Sequence, residues 1–168
     1  EILNAKLTLF EFLTVCYFYE AQHISADKNL LEIGLGGDLD CVNVVKPDLV
    51  AINLIHYDHQ EWLGDKISQI ATAKSGIIKE SVPVVVGKQE FPEALEAVKN
   101  KAKKMNAPTY IYGEDWRIEE KKNDVVVYES NKNKVEFEFS NPAKFQIFNL
   151  GMALKAAELT DKVNISLA

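Results

Sequence analysis

The sequence has few of the residues that mark several classes of protein. Only two cysteines occur among 168 residues, Cys16 and Cys41. Their wide separation fits no metal-binding spacing, so we expect free thiols in a reducing compartment. No apolar run is long enough to span a bilayer, and the first residues lack the basic start and the small-residue cleavage site of a signal peptide. These absences indicate a cytoplasmic protein with no membrane partner.

Positive charge is also scarce. Lysine and arginine number 19 against 25 aspartates and glutamates, which gives a formal net charge of -6. A general nucleic-acid surface needs a basic face, so this class of partner is excluded. The apolar fraction of 47% and the charged fraction of 26% are ordinary for a globular chain. The length suffices for one domain, with or without a small appendage.

Hydrophobic patterning predicts an α/β fold with a mostly parallel sheet flanked by helices, because strands alternate with helices up to residue 113. A small antiparallel β ribbon then covers residues 116–139, where apolar and polar residues alternate. The predicted strands of the first part are 30–33, 48–55, 83–86 and 109–112. The predicted helices are 8–23, 65–75, 91–104 and 143–159.

Local signals fix the ends of two of these helices. Thr8 and Glu11 form a capping-box pattern at the start of the first helix, which we expect to be largely buried. Asp65 is the candidate N-cap of the second helix, and Gly76 suits the position after its last turn.

A glycine-rich segment, Gly34-Leu35-Gly36-Gly37, follows the first predicted strand. Glycines here allow either a tight turn or a close approach of backbone to a ligand, and on the glycines alone the turn is the simpler interpretation. The segment is not the dinucleotide-binding fingerprint, which needs a third spaced glycine and an immediate helix. No GxxxxGK[ST] phosphate loop occurs anywhere in the chain.

Ionisable side chains lie at the predicted strand ends, where open α/β sheets bind ligands. Glu32 ends one strand, and His59, close to His56 and Asp58, follows the next. A carboxylate and an imidazole there are compatible with a Mg²⁺ site, although an exposed strand end explains Glu32 equally well.

Two helices carry further candidates. Lys74 near the end of its helix is either a surface lysine that stabilises the helix terminus or a lysine that binds phosphate or is modified. Gln146 and Asn149 share one face of the last predicted helix. They are either simply exposed to solvent or able to hydrogen-bond a heterocycle.

Taken in order, these motifs resemble the folylpolyglutamate synthase and dihydrofolate synthase branch of the Mur ligase superfamily. The resemblance covers nearly the whole chain, and the combined pattern is far more specific than any single motif. The matching segments are LTLFEF, LEIGLGGDLDCVN, YDHQEWLG, AKSGIIK, VPVVVG and FQIFN.

The resemblance implies a ligase that uses ATP to phosphorylate a folate carboxylate, after which the amine of L-glutamate attacks the acyl phosphate. Folate or dihydropteroate, L-glutamate and ATP are the implied substrates, and Mg²⁺, two ions in the complete enzyme, is the implied cofactor. The residues that match family positions are Glu32 and His59 for Mg²⁺, Lys74 for a carbamylated lysine, Thr8, Leu9, Phe10, Glu11, Leu39, Asp40 and Cys41 for the pterin substrate, and Gln146 and Asn149 for the nucleotide.

The chain also departs from the family pattern. Phe145 stands where many members have histidine before the glutamine, and Ala73 where many have an acidic residue before the lysine. The family's phosphate loop and C-terminal domain have no counterpart here. The resemblance therefore implies that residues 1–168 are part of the central ATP-binding domain, inactive alone, prone to self-association through exposed sheet surface, and derived from a monomeric enzyme.

Two other functions stay open from the sequence. One is a cell-wall Mur ligase, which would share the cation chemistry but use a UDP-muramyl peptide. The other is a non-catalytic binding module that keeps the fold, against which the retained Glu32, His59 and Lys74 argue.

Overall fold

The computed structural model describes residues 6–122, 124–140 and 143–160 and contains two small sheets with five helices around them. The helices are α1 (Leu9–Ala21), α2 (Gln60–Leu63), α3 (Ile67–Ser75), α4 (Pro92–Lys104) and α5 (Lys144–Thr160), with a 3₁₀ turn at Cys41–Val44. The strands are β1 (Val50–Ile52), β2 (Val84–Val86), β3 (Thr109–Ile111), β4 (Trp116–Glu120), β5 (Val125–Ser130) and β6 (Lys134–Glu138).

The first sheet is parallel, in the order β1-β2-β3, which confirms the predicted α/β architecture. β2 lies in the centre and its three valines are fully buried, as expected for a strand covered on both faces. α3 and α4 supply apolar side chains to the same core, including Ile70 and Val98. The carboxyl ends of the three strands therefore lie at one edge, where loops can form a site.

The second sheet is the predicted antiparallel ribbon, in the order β4-β5-β6. Trp116 and Ile118 face a core that α5 covers, whereas Arg117 and Glu119, which alternate with them along β4, are exposed. Helix α5 approaches closely at Gly151, where a Cβ would lie 2.7 Å from Ile118 Cγ2. The sheet thus has one packed and one solvated face.

Two local predictions are wrong. Residues 30–33 form no strand, because no described strand lies beside them to complete a hydrogen-bonded ladder, and Leu30 is 97% exposed. Lys66 rather than Asp65 is the N-cap of α3, and its N–H donates to Gln69 Oε1. Gly76 does follow the last residue of that helix as predicted, and it has right-handed backbone dihedrals there.

Helix α1 is also not largely buried. Its capping box is present as predicted, but Thr14 is its one buried residue. Apolar side chains surround the whole helix, so packing on one side leaves Phe12, Leu13 and Tyr19 more than half exposed. No described helix is long and apolar enough to cross a bilayer.

A buried ion pair within α5 is hydrogen-bonded to the antiparallel sheet and its turn. Lys155 Nζ lies 3.0 Å from Glu158 Oε2, and both side chains are almost fully buried. Ser130 and Asn133, from the end of β5 and the following turn, donate to Glu158 Oε1 at 2.7 and 2.6 Å. Burial by itself would raise the pKa of Glu158, but these hydrogen bonds outweigh it and lower the pKa.

We predict that Lys155→Ala lowers the free energy of unfolding by about 3–5 kcal/mol, because it leaves the Glu158 carboxylate buried without its cation. Lys99→Ala is the matched control, since Lys99 pairs with Glu114 at the surface and should cost at most about 1 kcal/mol. Chemical denaturation followed by circular dichroism measures both. Equal losses for the two variants would contradict this description of the buried pair.

Candidate functional site

The glycine-rich loop is shaped by one carboxylate. Asp40 Oδ2 accepts hydrogen bonds from the backbone N–H groups of Gly34 and Leu35, at 3.0 and 2.9 Å. Asp40 Oδ1 accepts a third from Val42 at 2.8 Å and so caps the 3₁₀ turn. The carboxylate, predicted to contact substrate, is therefore occupied with backbone donors. Its role in the structure is to curl the loop around itself.

The same loop packs on the C-terminal end of α3. Asp38 N donates at 3.3 Å to the carbonyl of Ala73, which also accepts from Gly76 N at 3.1 Å at the helix end. Asn43 Nδ2 donates to the carbonyls of Asp38 and Gly76, at 3.2 and 3.5 Å. Lys79 Nζ then donates to the Asn43 carbonyl at 2.8 Å. The GLGG and KSGIIK motifs are thus two sides of one contact.

Two glycines make this contact possible. A Cβ at Gly76 would lie 2.4 Å from Asp38 Cβ and 2.7 Å from the Asp38 backbone nitrogen. A Cβ at Gly37 would lie 2.7 Å from the carbonyl oxygen of Ala73. Neither distance is accessible to real side chains, and most of the neighbouring atoms are backbone. Glycine is therefore required at both positions for close approach.

Helix α1 forms the opposite wall. Its first turn is closed by Glu11, which accepts from the N–H and the hydroxyl of Thr8 at 2.7 and 2.9 Å. These hydrogen bonds lower the pKa of Glu11. The Phe10 ring lies against Gly34, where a Cβ would come within 2.6 Å of it. Thr14 Oγ1 lies 3.4 Å from Cys41 Sγ and connects the helix to the 3₁₀ turn.

Between these walls lies a cavity of about 1130 Å³. Six of the seven residues predicted to contact a pterin line it together, although they come from segments far apart in sequence. Leu9, the seventh, does not line it and is 74% exposed. The lining residues are Thr8, Phe10, Glu11, residues 34–41, Trp62, Leu63, Ser68, Gln69, Thr72 and Ala73.

The predicted cation ligands lie outside this lining. Glu32 is exposed in the segment before the glycine loop. His59 is the left-handed N-cap of α2, with φ of 50°, and its Nε2 lies 3.4 Å from Asp58 Oδ2. Lys74 is half-buried in the last turn of α3. Within the described ranges, no three histidine, cysteine or acidic side chains gather into a metal site, so the two-ligand assignment stays a prediction.

The predicted nucleotide-contacting residues lie on α5, in hydrogen-bond contact with the segment that follows β1. Asn53 Nδ2 donates to Asn149 Oδ1 at 2.9 Å, and Asn149 Nδ2 lies 3.4 Å from Gln146 Oε1. Gln89 anchors the same segment by accepting from Ile55 N and donating to the Asn53 carbonyl. Asn53 and Gln89 were not predicted as site residues. Their position just after two parallel strands was the one available signal.

Curated proteins similar to this chain share one activity name. This chain is 43% identical over 102 residues to the dihydrofolate synthase/folylpolyglutamate synthase of Bacillus subtilis, and the match covers 60% of this chain and 24% of that protein. It is 29% identical over 162 residues to the folylpolyglutamate synthase of Lacticaseibacillus casei, covering 94% and 38%. No protein-family model matches the chain.

Solved structures similar to this chain belong to the same group of synthases. The apo form of the L. casei folylpolyglutamate synthase superimposes with a TM-score of 0.83 and 29% identity, over 95% of this chain and 40% of that one. Escherichia coli FolC in complex with ADP gives a TM-score of 0.84 and 26% identity, over 97% and 38%. The chain thus spans well under half the length of the relatives that it matches.

The fold places the chain in the α/β class, with a parallel sheet and a separate antiparallel one. Within this class the predicted resemblance is confirmed: the chain matches part of the folylpolyglutamate and dihydrofolate synthases in both sequence and structure.

We predict that Gly76→Ala lowers the free energy of unfolding by about 1–3 kcal/mol, because the added methyl group collides with Asp38 and pushes the loop off the helix. Ser68→Ala, at an exposed position in α3, is the control and should change stability by less than about 0.5 kcal/mol. Urea titration measures both. A Gly76→Ala protein as stable as Ser68→Ala would show that the close contact does not hold the loop.

Proposed function

We propose that this chain supplies the folate-binding wall and part of the nucleotide-binding region of an ATP-dependent ligase that adds L-glutamate to folate, with dihydropteroate as a further substrate. The observation that carries the proposal is the cavity between α1 and α3, lined by both segments predicted to contact a pterin. Relatives are named for this activity, and related structures are described with AMPPCP and folate or with ADP.

The chemistry of the lining suits a flat heterocycle with polar edges. Phe10, Leu39 and Trp62 offer exposed apolar and aromatic surface for its face. Glu11, Gln69 and Thr72 offer donors and acceptors for its edges. Since Glu11 keeps a lowered pKa, it stays ionised and accepts hydrogen bonds at neutral pH. A mostly apolar cleft with a few polar groups is the usual form of a small-molecule site.

In the proposed reaction the folate carboxylate attacks the terminal phosphorus of ATP, and ADP leaves. The amine of L-glutamate then attacks the acyl phosphate, loses a proton and expels inorganic phosphate, forming the amide bond. The described residues contribute by holding the pterin end in place, so that the carboxylate end is directed toward the strand ends. Such positioning replaces an encounter between free molecules by a reaction within one complex.

Mg²⁺ would offset the negative charge on the phosphates, and Glu32 and His59 are the proposed protein ligands. Both side chains are exposed and offer an oxygen and a nitrogen donor. A site with so few protein ligands fits Mg²⁺, which commonly keeps several waters and binds phosphate oxygens. Lys74 remains the proposed carbamylation site. The cytoplasmic location, the monomeric parent enzyme and the self-association of this chain likewise stay predictions.

The cell-wall alternative is less favoured, because the named relatives are folate enzymes. A non-catalytic binding module would keep the same cavity without turnover. If the protein binds dihydropteroate but no UDP-muramyl peptide, the cell-wall ligase is excluded. If a full-length protein that contains this sequence has ligase activity, the non-catalytic binding module is excluded.

We predict that Phe10→Ala weakens dihydropteroate binding about tenfold, because an aromatic contact contributes about 1–1.5 kcal/mol beyond its area. Phe12→Ala is the matched control, because Phe12 is also an exposed phenylalanine of α1 but does not line the cavity. The affinity of this variant for dihydropteroate should be unchanged. Quenching of Trp62 fluorescence, read against Trp62→Phe, measures binding.

Two results would contradict this proposal. One is the absence of dihydropteroate binding to the unmodified chain at millimolar concentration. The other is an equal loss of affinity in Phe10→Ala and Phe12→Ala, which would indicate damage to α1 rather than loss of a contact.

We also predict that the 168-residue chain completes no turnover with ATP, L-glutamate, tetrahydrofolate and Mg²⁺, because it contains no GxxxxGK[ST] segment to hold the phosphates. Mass spectrometry of the folate product is the measurement. Formation of glutamylated folate above the level without protein would show that this chain binds phosphate by other means.

A further inference from the structure

A row of side-chain amides runs from the end of β1 to the first turns of α5. Asn53 Oδ1 accepts from the N–H of the next residue, Leu54, at 2.8 Å. Asn53 Nδ2 donates to Asn149 Oδ1 at 2.9 Å, across 96 positions of sequence. Asn149 Nδ2 in turn donates to Gln146 Oε1 at 3.4 Å. The row therefore connects a backbone N–H in one element to a half-exposed glutamine in another.

The direction of the whole row follows from its first member. A backbone N–H can only donate, so the oxygen of the Asn53 amide must face Leu54 and its nitrogen must face Asn149. Asn149 must then present its oxygen to Asn53 and its nitrogen to Gln146. Gln146 accepts through Oε1, which leaves its Nε2 as the group not engaged by this row in the described part of the chain. The open end of the row is a hydrogen-bond donor.

The first member is held firmly. Gln89 Nε2 donates to the Asn53 carbonyl at 3.0 Å and to the Gly87 carbonyl at 3.1 Å. A Cβ at Gly87 would lie 2.8 Å from Met152 Sδ and 3.3 Å from Asn53 Oδ1. The strand end, Asn53 and α5 are therefore packed against one another, and rotation of the Asn53 side chain would break two hydrogen bonds.

We propose that Asn53 is a positioning residue that fixes the polarity of Asn149 and Gln146, so that this face of α5 donates a hydrogen bond to an acceptor atom of its ligand. The proposal rests on the proposed function for the identity of that ligand as a nucleotide. An acceptor on a base or ribose meets the requirement, whereas a donor at the same point would leave two donors facing each other. Asn53 acts through the other amides and does not contact the ligand.

Asn53→Asp tests the polarity without removing the side chain. A carboxylate still accepts from Leu54 N–H, but it can no longer donate to Asn149. The Asn149 amide then turns to donate to the introduced carboxylate, the Gln146 amide turns to donate to Asn149, and Gln146 Oε1 becomes the open group. The donor at the ligand face is replaced by an acceptor.

Side-chain amide hydrogen exchange, measured by NMR without ligand, reads this order directly. In the unmodified chain the Asn53 amide protons should exchange about tenfold more slowly than those of Asn131, an exposed turn residue. Asn149→Ala should remove the difference. In Asn53→Asp the Gln146 amide protons should slow relative to the unmodified chain. Equal exchange of Asn53 and Asn131 in the unmodified chain, or unchanged Gln146 exchange in Asn53→Asp, would overturn the proposal.

Titration with adenosine, which carries no phosphate and so needs no phosphate loop, tests the consequence for binding. Asn53→Asp should weaken adenosine binding about tenfold, as expected for the loss of one hydrogen bond, and Asn131→Asp should leave it unchanged. An unchanged affinity in Asn53→Asp would overturn the role of the row in binding. If the unmodified chain binds no adenosine, the nucleotide assignment of the proposed function fails, and the exchange measurement alone decides the order of the amides.

Discussion

Gly37 and Gly76 allow the glycine-rich loop and the end of α3 to approach more closely than any side chain would permit. Around this contact, Asp38 N and the Asn43 amide satisfy carbonyls at and just beyond the helix terminus. The loop can then curl over the Asp40 carboxylate, and the curled loop becomes one wall of the cavity. A larger residue at either glycine would separate the two elements and open the wall.

The site divides its polar groups between architecture and recognition. Asp40 uses both carboxylate oxygens to accept from backbone N–H groups, and it thereby shapes the cavity that it lines. Glu11 closes the first turn of α1 through Oε2, while the residue itself lines the cavity. A similar division holds just after β1, where Asn53 orders neighbouring amides and Gln146 is left with a donor. Catalytic geometry depends on such supporting contacts as much as on the groups that touch substrate.

Much of the fold could be predicted from the sequence because local signals agreed with tertiary packing. Three patterns each matched the element that formed. They are the apolar run of β2, the amphipathic face of α4 and the alternation of apolar and polar residues in β4–β6. Residues 30–33 look equally like a strand, but a strand also needs a neighbour, and a short apolar run carries no information about whether one lies beside it. For α1, apolar residues on all sides concealed how little of the helix is covered.

The candidate site was predictable only in part. The family resemblance, rather than any local pattern, indicated two segments that line the cavity, and six of the seven residues it implied lie there. The role of Asp40 was not predictable, because an aspartate in a glycine-rich loop can serve the backbone or a ligand with the same sequence pattern. Asn53 was missed because its partner lies 96 residues away, and no local pattern encodes such a pairing.

Asp40 and the contact with α3 together hold the glycine-rich loop in place as one wall of the cavity. Backbone hydrogen exchange at Gly34, Leu35 and Val42, with and without dihydropteroate, tests this most directly. We expect slow exchange at all three amides in the free chain, because Asp40 occupies them, and still slower exchange with ligand, while β4–β6 stays unchanged. Exchange as fast as in an open loop, unaffected by dihydropteroate, would contradict it.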